Sequence, residues 1–252
     1  MEHAGRTALV TGATGGLGVA QARMLAEAGA RVLMLDVKGE AAVDELRSAL
    51  PEGAGELVWV ACDLADPQAT KERAAALDRQ YGGIDIVVNN AAINPLKAID
   101  AYDLAEWRRV QDINATACVA IAQATVPSMK RKGFGQIVNI TTVTLNGGWE
   151  DFTAYVGSKG TLLGLTRSMA RELGKFGIRV NCISPGAIPT PLEQEVWADQ
   201  IDSYVKFLID HQALKYRGSA DDIAHALMFL ISDRARFVTG HNLSVDGGWW
   251  MH

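Results

Sequence analysis

The sequence predicts a doubly wound α/β fold built on one parallel sheet, and three observations lead there. Short segments rich in Val, Ile and Leu alternate with longer segments of helical period along the chain, the pattern of strands joined by crossover helices. The strand segments are apolar nearly throughout, as burial on both faces of a parallel sheet requires. No composition break, tandem repeat or low-complexity linker divides the 252 residues, so one domain spanning 1–252 is expected.

The elements follow in order. Thr7–Thr11 reads as the first strand, and a glycine-rich turn leads from it into a helix over Gly16–Ala28. A strand at Arg31–Asp36, a helix at Ala41–Leu50 and a strand at Val58–Ala61 come next. Asp66-Pro67 opens a helix over Gln68–Gln80, because a proline without an N–H suits the first turn. Ile84–Asn89 is the fourth strand, and helical period then runs unbroken over Leu104–Met129. Strand Gln136–Thr141, helix Thr153–Leu173, strand Arg179–Ile183, helix Asp221–Ser232 and strand Asn242–Val245 complete the alternation. One stretch breaks it. Three of the 7 prolines, Pro185, Pro189 and Pro191, lie close together, and an amphipathic run containing Trp197, Tyr204 and Phe207 follows. An insertion near 187–218, at the carboxyl end of a strand, is where such a sheet builds its ligand cover.

Composition excludes several classes. Hydrophobic residues make up 48% and charged residues 21%, ordinary usage for a chain with a packed core. Lys plus Arg number 24 against 29 Asp plus Glu, a net charge of -5. That balance offers no broad basic field, so neither nucleic acid nor a membrane surface is an expected partner. No apolar run approaches the ~20 residues that span a bilayer, and Met1–Arg6 is too short and polar for a secretory signal, so the expected location is the cytoplasm. Cys62, Cys118 and Cys182 lack the paired spacing of a zinc or redox site. They read as free thiols, and the histidines form no ligand-spaced cluster, so no metal is expected.

The strongest local signal follows the first strand: Thr11-Gly12-Ala13-Thr14-Gly15-Gly16-Leu17-Gly18. Glycines there allow a sharp turn and close approach to a pyrophosphate, whose charge is met by free N–H groups where the helix begins. Gly12, Thr14, Gly16, Leu17 and Gly18 are therefore candidate nucleotide contacts. Asp36 ends the second strand 18 residues beyond Gly18, near the ~20-residue offset of the acid that binds a ribose diol. A 2′-phosphate beside that carboxylate meets repulsion of order 4 kcal/mol at about 4 Å and intermediate dielectric. NAD is preferred over NADP on this ground, with Lys38 the one nearby cation able to soften the preference. Asp63 and Leu64, after the third strand, are candidates for the adenine edge, although Asp63 equally suits a turn cap. Asn90 and Ala91, after the fourth, are small enough to admit a flat nucleotide edge, although Asn also simply ends strands.

The most specific chemistry lies in Tyr155-Val156-Gly157-Ser158-Lys159. Positions i and i+4 share a helix face, so an ammonium can sit beside a phenol or a bound ribose. Lowering a phenol pKa by two to three units, enough to make a base near neutrality, takes about 3 to 4 kcal/mol of preferential phenolate stabilisation. Lys159 and an oxidised nicotinamide are the groups expected to supply it.

Taken in order, Thr11–Gly18, Asn89–Ala92, Tyr155–Lys159, Pro185–Thr190 and Thr239–Gly248 make the chain resemble the short-chain dehydrogenase/reductase family from about residue 5 to the end. The resemblance implies a tetrad of Asn, Ser, Tyr and Lys. Tyr155 would be the general acid/base, and Lys159 would bind the nicotinamide ribose and depress the Tyr155 pKa. Asn114 would hold a water linking Lys159 to solvent; its plainer role is a helix-interior amide bonded to backbone. The family Ser, 13 residues before its Tyr, is here Thr142. Threonine keeps the hydroxyl that donates to substrate oxygen, but its methyl narrows χ1 and removes pocket volume. Thr141 or Thr144 supplies the hydroxyl instead if the loop is shifted. The resemblance also places Pro185, Gly186, Ile188 and Thr190 beside the nicotinamide.

Candidate substrate walls are Ile93, Asn94, Thr144, Trp149, Ala187, Trp197 and the terminal residues 249–252, with Trp249 and Trp250 read first as subunit contacts. Mixed aromatic and polar walls suit a compact alcohol or ketone, such as a sugar, polyol or hydroxylated ring. The function expected is thus an NAD-dependent dehydrogenase of secondary alcohols. The alternatives are a carbonyl or 3-oxoacyl-type reductase, and a non-catalytic NAD-binding regulator that Thr142 alone encourages. The resemblance further implies a homotetramer.

Overall fold

The computed structural model describes residues 2–37, 39–147, 149–190, 193 and 200–251. Its strands are β1 Thr7–Thr11, β2 Arg31–Asp36, β3 Leu57–Ala61, β4 Ile86–Asn89, β5 Gly135–Ile140, β6 Ile178–Pro185 and β7 Asn242–Val245. They form one sheet in the order β3-β2-β1-β4-β5-β6-β7, with every neighbouring pair parallel. The helices are α1 Gly16–Glu27, α2 Glu40–Ala49, α3 Pro67–Gln80, α4 Leu104–Gln111, α5 Ala117–Lys132, α6 Thr144–Gly147, α7 Thr153–Leu173, α8 Ile201–His211 and α9 Ala220–Ile231.

Successive strand side chains point to opposite faces, and both faces are covered. Ala8, Val10, Val32, Met34, Ile86 and Val88 pack with Leu25 of α1, Val43 of α2 and Leu227 of α9. Leu9, Leu33, Leu35 and Val87 pack on the other side with Leu77 of α3, Ile121 of α5 and Leu173 of α7. Each fully buried Val, Leu or Ile contributes about 1.5–3 kcal/mol, so a polar residue on either face would be costly. That explains the largely apolar strands of the sequence. Local signals set several helix starts: Asp66 accepts from the Ala69 N–H at 2.9 Å ahead of Pro67, and Asp103 accepts from the Glu106 N–H at 2.7 Å.

From β1 the chain steps outward to β2 and β3, then returns to β4 on the opposite side of β1. The loops leaving β1 and β4 diverge, and a crevice opens at the carboxyl ends of these two strands. The Thr11 hydroxyl ties its two lips together, accepting from the N–H groups of Asn90 at 3.0 Å and Ala91 at 3.1 Å.

Three expectations are corrected. The helix read over Leu104–Met129 is not uniform: a π turn at Asp112–Thr116 separates α4 from α5, which runs on to Lys132. The widened turn carries Asn114, whose amide bonds the backbone of Ile93. The amphipathic run containing Tyr204 and Phe207 is a true helix, α8, and α6 is a further helix of four residues, too short to show a period. Strand ends also shift: β4 begins two residues later than read, and β6 extends to Pro185. Lys38, Pro191 and Trp197 lie outside the described residues.

Candidate active site

The crevice between β1 and β4 opens into a cavity of about 740 Å³. Gly12, Thr14, Gly16 and Leu17 form its floor, with Asp36, Asp63, Leu64, Asn90 and Ala91 along the strand ends. Gly12 holds φ +61, and a Cβ there would lie 2.8 Å from Ala91 Cα. Gly18 does not line the cavity; a Cβ on it would stand 2.1 Å from the Gly12 carbonyl oxygen, so its work is to let α1 pack against the loop. No side chain caps the start of α1 and no acid occupies its first turn, which leaves N–H groups and the positive end of the helix facing the cavity. Asp36 is held in place. One carboxylate oxygen accepts from the Thr14 N–H at 3.1 Å and the Thr14 hydroxyl at 2.8 Å, and the other accepts from the Val37 N–H at 2.8 Å. Asp63 accepts from the Ala65 N–H at 2.9 Å, so it does cap the turn while remaining on the cavity wall.

At the other end of this cavity α7 meets the end of β5. Lys159 is 1% exposed, and its ammonium donates to the Ile140 carbonyl at 2.7 Å and lies 5.5 Å from the centre of the Tyr155 ring. Burial pulls the Lys159 pKa down to about 8. Burial pushes the Tyr155 phenol above its ordinary value, and a hydrogen bond with the Thr142 side chain acts the other way. In the chain alone burial outweighs the lowering influence, and that influence comes from Thr142. The three threonines separate cleanly. Thr141 donates to the Ile183 carbonyl at 3.0 Å and the Asn242 side chain at 2.8 Å. Thr144 lies 3.0 Å from the Thr142 hydroxyl and donates its N–H to it at 3.2 Å. Thr142 is the one of the three bonded to Tyr155.

Asn114 lines neither cavity. Fully buried, it accepts from the Ile93 N–H at 2.9 Å, donates to the Ile93 carbonyl at 2.9 Å and donates to Ser158 at 3.0 Å. Its amide therefore clamps backbone to α7, the plainer of the two roles read from the sequence.

A second cavity of about 220 Å³ adjoins the first. Thr142, Tyr155, Gly186, Ile188 and Thr190 belong to the walls of both. Asn94, Thr144, Trp149 and Ala187 line the smaller one, as read from the sequence, whereas Ile93 faces the larger and Trp197 falls outside the described residues. Trp249, read first as a subunit contact, lines the small cavity and packs 5.7 Å from Trp149, centre to centre. The turn that delivers it begins at Asp246, whose carboxylate accepts the N–H groups of Gly248 and Trp250.

A family pattern described as enoyl-(acyl carrier protein) reductase matches residues 12–250. The D-beta-hydroxybutyrate dehydrogenase of Rhizobium meliloti is 31% identical over 97% of this chain and 98% of its own length. The cis-4-hydroxycyclohexanecarboxylate dehydrogenase of Sinomonas cyclohexanicum is 36% identical over 97% of this chain and 96% of its own. The chain belongs to the short-chain dehydrogenase/reductase family. A crystal structure of a candidate NAD(P)-dependent gluconate 5-dehydrogenase from Beutenbergia cavernae, with NADP bound at low occupancy, superposes with a TM-score of 0.90 at 33% identity, covering 98% of this chain and 97% of that one.

Within the short-chain dehydrogenase/reductase frame the residues present fit a nicotinamide dinucleotide. The close-packed glycine loop, the uncapped helix start and the anchored Asp36 carboxylate all face one elongated cavity that reaches Tyr155 and Lys159. Several residues escaped the sequence reading. Arg109 lines the large cavity, and Leu96, Phe152 and Glu193 line the small one beside Tyr204 of the expected cover. Ser158 donates to the Tyr155 carbonyl at 2.6 Å and receives Asn114. Its place inside the Tyr155–Lys159 motif was a signal that could have found it; for Glu193 the only signal was its position in the insertion near 187–218.

Proposed function

We propose that this chain is an NAD-dependent oxidoreductase of secondary alcohols, working on a sugar, polyol or hydroxylated ring. The observation that carries the reading is the junction: the Thr142 and Tyr155 side chains stand in the wall common to both cavities, with the Lys159 ammonium 5.5 Å behind the phenol ring. A dinucleotide in the large cavity and a small alcohol in the other then meet at a proton-exchanging hydroxyl. The nicotinamide, when bound, supplies hydride acceptance.

The chain's own residues do the rest. Gly12, Gly16, Leu17 and the start of α1 receive the pyrophosphate, Asp36 the adenosine ribose, and Asp63, Leu64, Asn90 and Ala91 the adenine side. Pro185, Gly186, Ile188 and Thr190 set the nicotinamide face, and Lys159 meets its ribose. Tyr155 takes the substrate hydroxyl proton during oxidation and returns it during reduction, while Thr142 donates to the substrate oxygen. Asn114 fixes the loop after β4 against α7 and so holds the tetrad in register. The insertion at 187–218 forms the substrate cover, and the protein acts in the cytoplasm as a homotetramer. The small, aromatic-walled cavity favours a compact substrate over a long acyl chain.

Cofactor choice rests on Asp36. A fixed carboxylate accepts from both ribose hydroxyls and repels a 2′-phosphate. Initial rates with each cofactor test it. NAD is expected to exceed NADP in kcat/KM by about 100-fold, equivalent to ~2.7 kcal/mol, and Asp36→Ser should cut that ratio at least tenfold. An NADPH advantage in the wild type would reject the assignment.

A further inference from the structure

We propose that the small cavity selects uncharged ring alcohols bearing a further hydroxyl group, and that Glu193 is the residue that turns hydroxy acids away. The inference rests on the dehydrogenase reading above and narrows its substrate. All three relatives described above carry the names of hydroxy acids, whose carboxylates call for a cation in the pocket. Among the described residues lining this cavity there is no Lys, Arg or His. There is a carboxylate instead. Glu193 lines the cavity, and its side chain is only 10% exposed.

The nearest cation is already engaged. Arg217, 15% exposed, donates to both Glu193 oxygens at 2.8 and 3.0 Å and to the Ala187 carbonyl at 2.9 Å. It does not line the cavity, so the pair presents its negative member inward. Tyr204 shares a side-chain hydrogen bond with Glu193, and burial foremost, then the Glu193 charge, pushes its phenol up to about 12. That phenol stays neutral and cannot offset a second carboxylate. A substrate carboxylate would lose its water without gaining a partner there.

The remaining walls favour a ring with hydrogen-bond donors. Trp149 and Trp249 lie 5.7 Å apart, and Phe152 stands 6.0 Å from Trp149 and 6.1 Å from Tyr155. These faces suit the C–H surface of a six-membered ring. The Asn94 Oδ1 atom is buried without a hydrogen-bond partner and belongs to a residue of this wall. A second substrate hydroxyl would satisfy it, and leaving such a group unpaired is what makes a site reject analogues that lack the donor.

The test is a matched set on the purified enzyme with NAD: cis-4-hydroxycyclohexanecarboxylate, its uncharged carboxamide, cyclohexanol and trans-1,2-cyclohexanediol. Wild type should favour the carboxamide over the carboxylate by at least tenfold in kcat/KM, and the diol over cyclohexanol. Glu193→Gln should raise the value for the acid and bring the first ratio within about threefold, with the KM for NAD unchanged. Should that variant fail to fold, competition in the wild type decides: cyclohexanecarboxamide should inhibit at lower concentration than cyclohexanecarboxylate. Equal or better use of the acid by the wild type overturns the proposal while leaving the dehydrogenase reading intact. Absence of turnover for every member of the set, with NAD bound, overturns the proposal, and absence extended to sugars and acyclic polyols overturns the dehydrogenase reading as well.

Discussion

At the scale of single residues, the phenol of Tyr155 and the ammonium of Lys159 are displaced from their ordinary acidities by the same cause. Burial raises Tyr155 above 10.0 and lowers Lys159 from 10.5 to about 8. Phenolate is scarce near neutrality, so alcohol oxidation by the proposed mechanism should accelerate as pH rises from 7 to 9, with carbonyl reduction level or falling. A pH-rate profile declining over that interval would contradict the role. Tyr155→Phe should lower turnover by roughly 10²–10⁴-fold, with NAD affinity, read by fluorescence titration, little altered. Thr142→Ser should stay active and Thr142→Val should not; equal rates would move the donor elsewhere. Lys159 also makes a statement about stability. Its folded pKa lies below the unfolded one, so the unfolded chain binds the extra proton between pH 8 and 10.5, and stability rises with pH across that window. Relative to Lys159→Met, the wild type should gain Tm between pH 8 and 10, and melting curves that keep a constant gap would refute the buried charge.

At the scale of elements, the loop from β1 into α1 is tightly constrained backbone. Gly18 was legible as part of a glycine pattern, but its true demand is steric, with a Cβ only 2.1 Å from a carbonyl oxygen that cannot move without breaking the turn. Gly18→Ala should destabilise the fold by a few kcal/mol and weaken NAD binding at least tenfold, measured by denaturant melts and calorimetry; an unaffected variant would mean that the loop is pliable. The sheet was readable because parallel strands buried on both faces carry an unambiguous apolar signature. The gathering of Thr142, Tyr155 and Lys159 around one cavity was readable too, since motif order survives without coordinates. Other features left no such trace. Four residues of α6 are too few for a helical period, and the Glu193–Arg217 pair joins positions 24 apart with α8 between them. Trp249 was read both as a subunit contact and as a pocket wall because an aromatic side chain serves either equally well, and the turn at Asp246 is what brings it to the small cavity.

At the scale of the whole molecule, the chain leaves large apolar groups in water. Phe237 is fully exposed, Met251 is 80% exposed and Leu104 71%. The proposed tetramer would give such surface somewhere to go. Light scattering after size exclusion should return about four times the chain mass of 27.0 kDa, and a monomer at micromolar concentration would refute that assembly. Among the described residues no helix is long and apolar enough to cross a membrane.

The widened turn at Asp112–Thr116 has an implication for how this architecture stores its instructions. On a regular spiral each side chain's bearing is fixed by its count from the start, advancing about 100° per residue. A surplus residue resets that count, so the stretch after it is aimed independently of the stretch before. Excising one position there would restore an ordinary spiral and swing the Asn114 amide off Ile93, though every remaining side chain kept its chemistry. Here orientation is written in chain length as well as in residue type, and a survey of substitutions alone would pass over it.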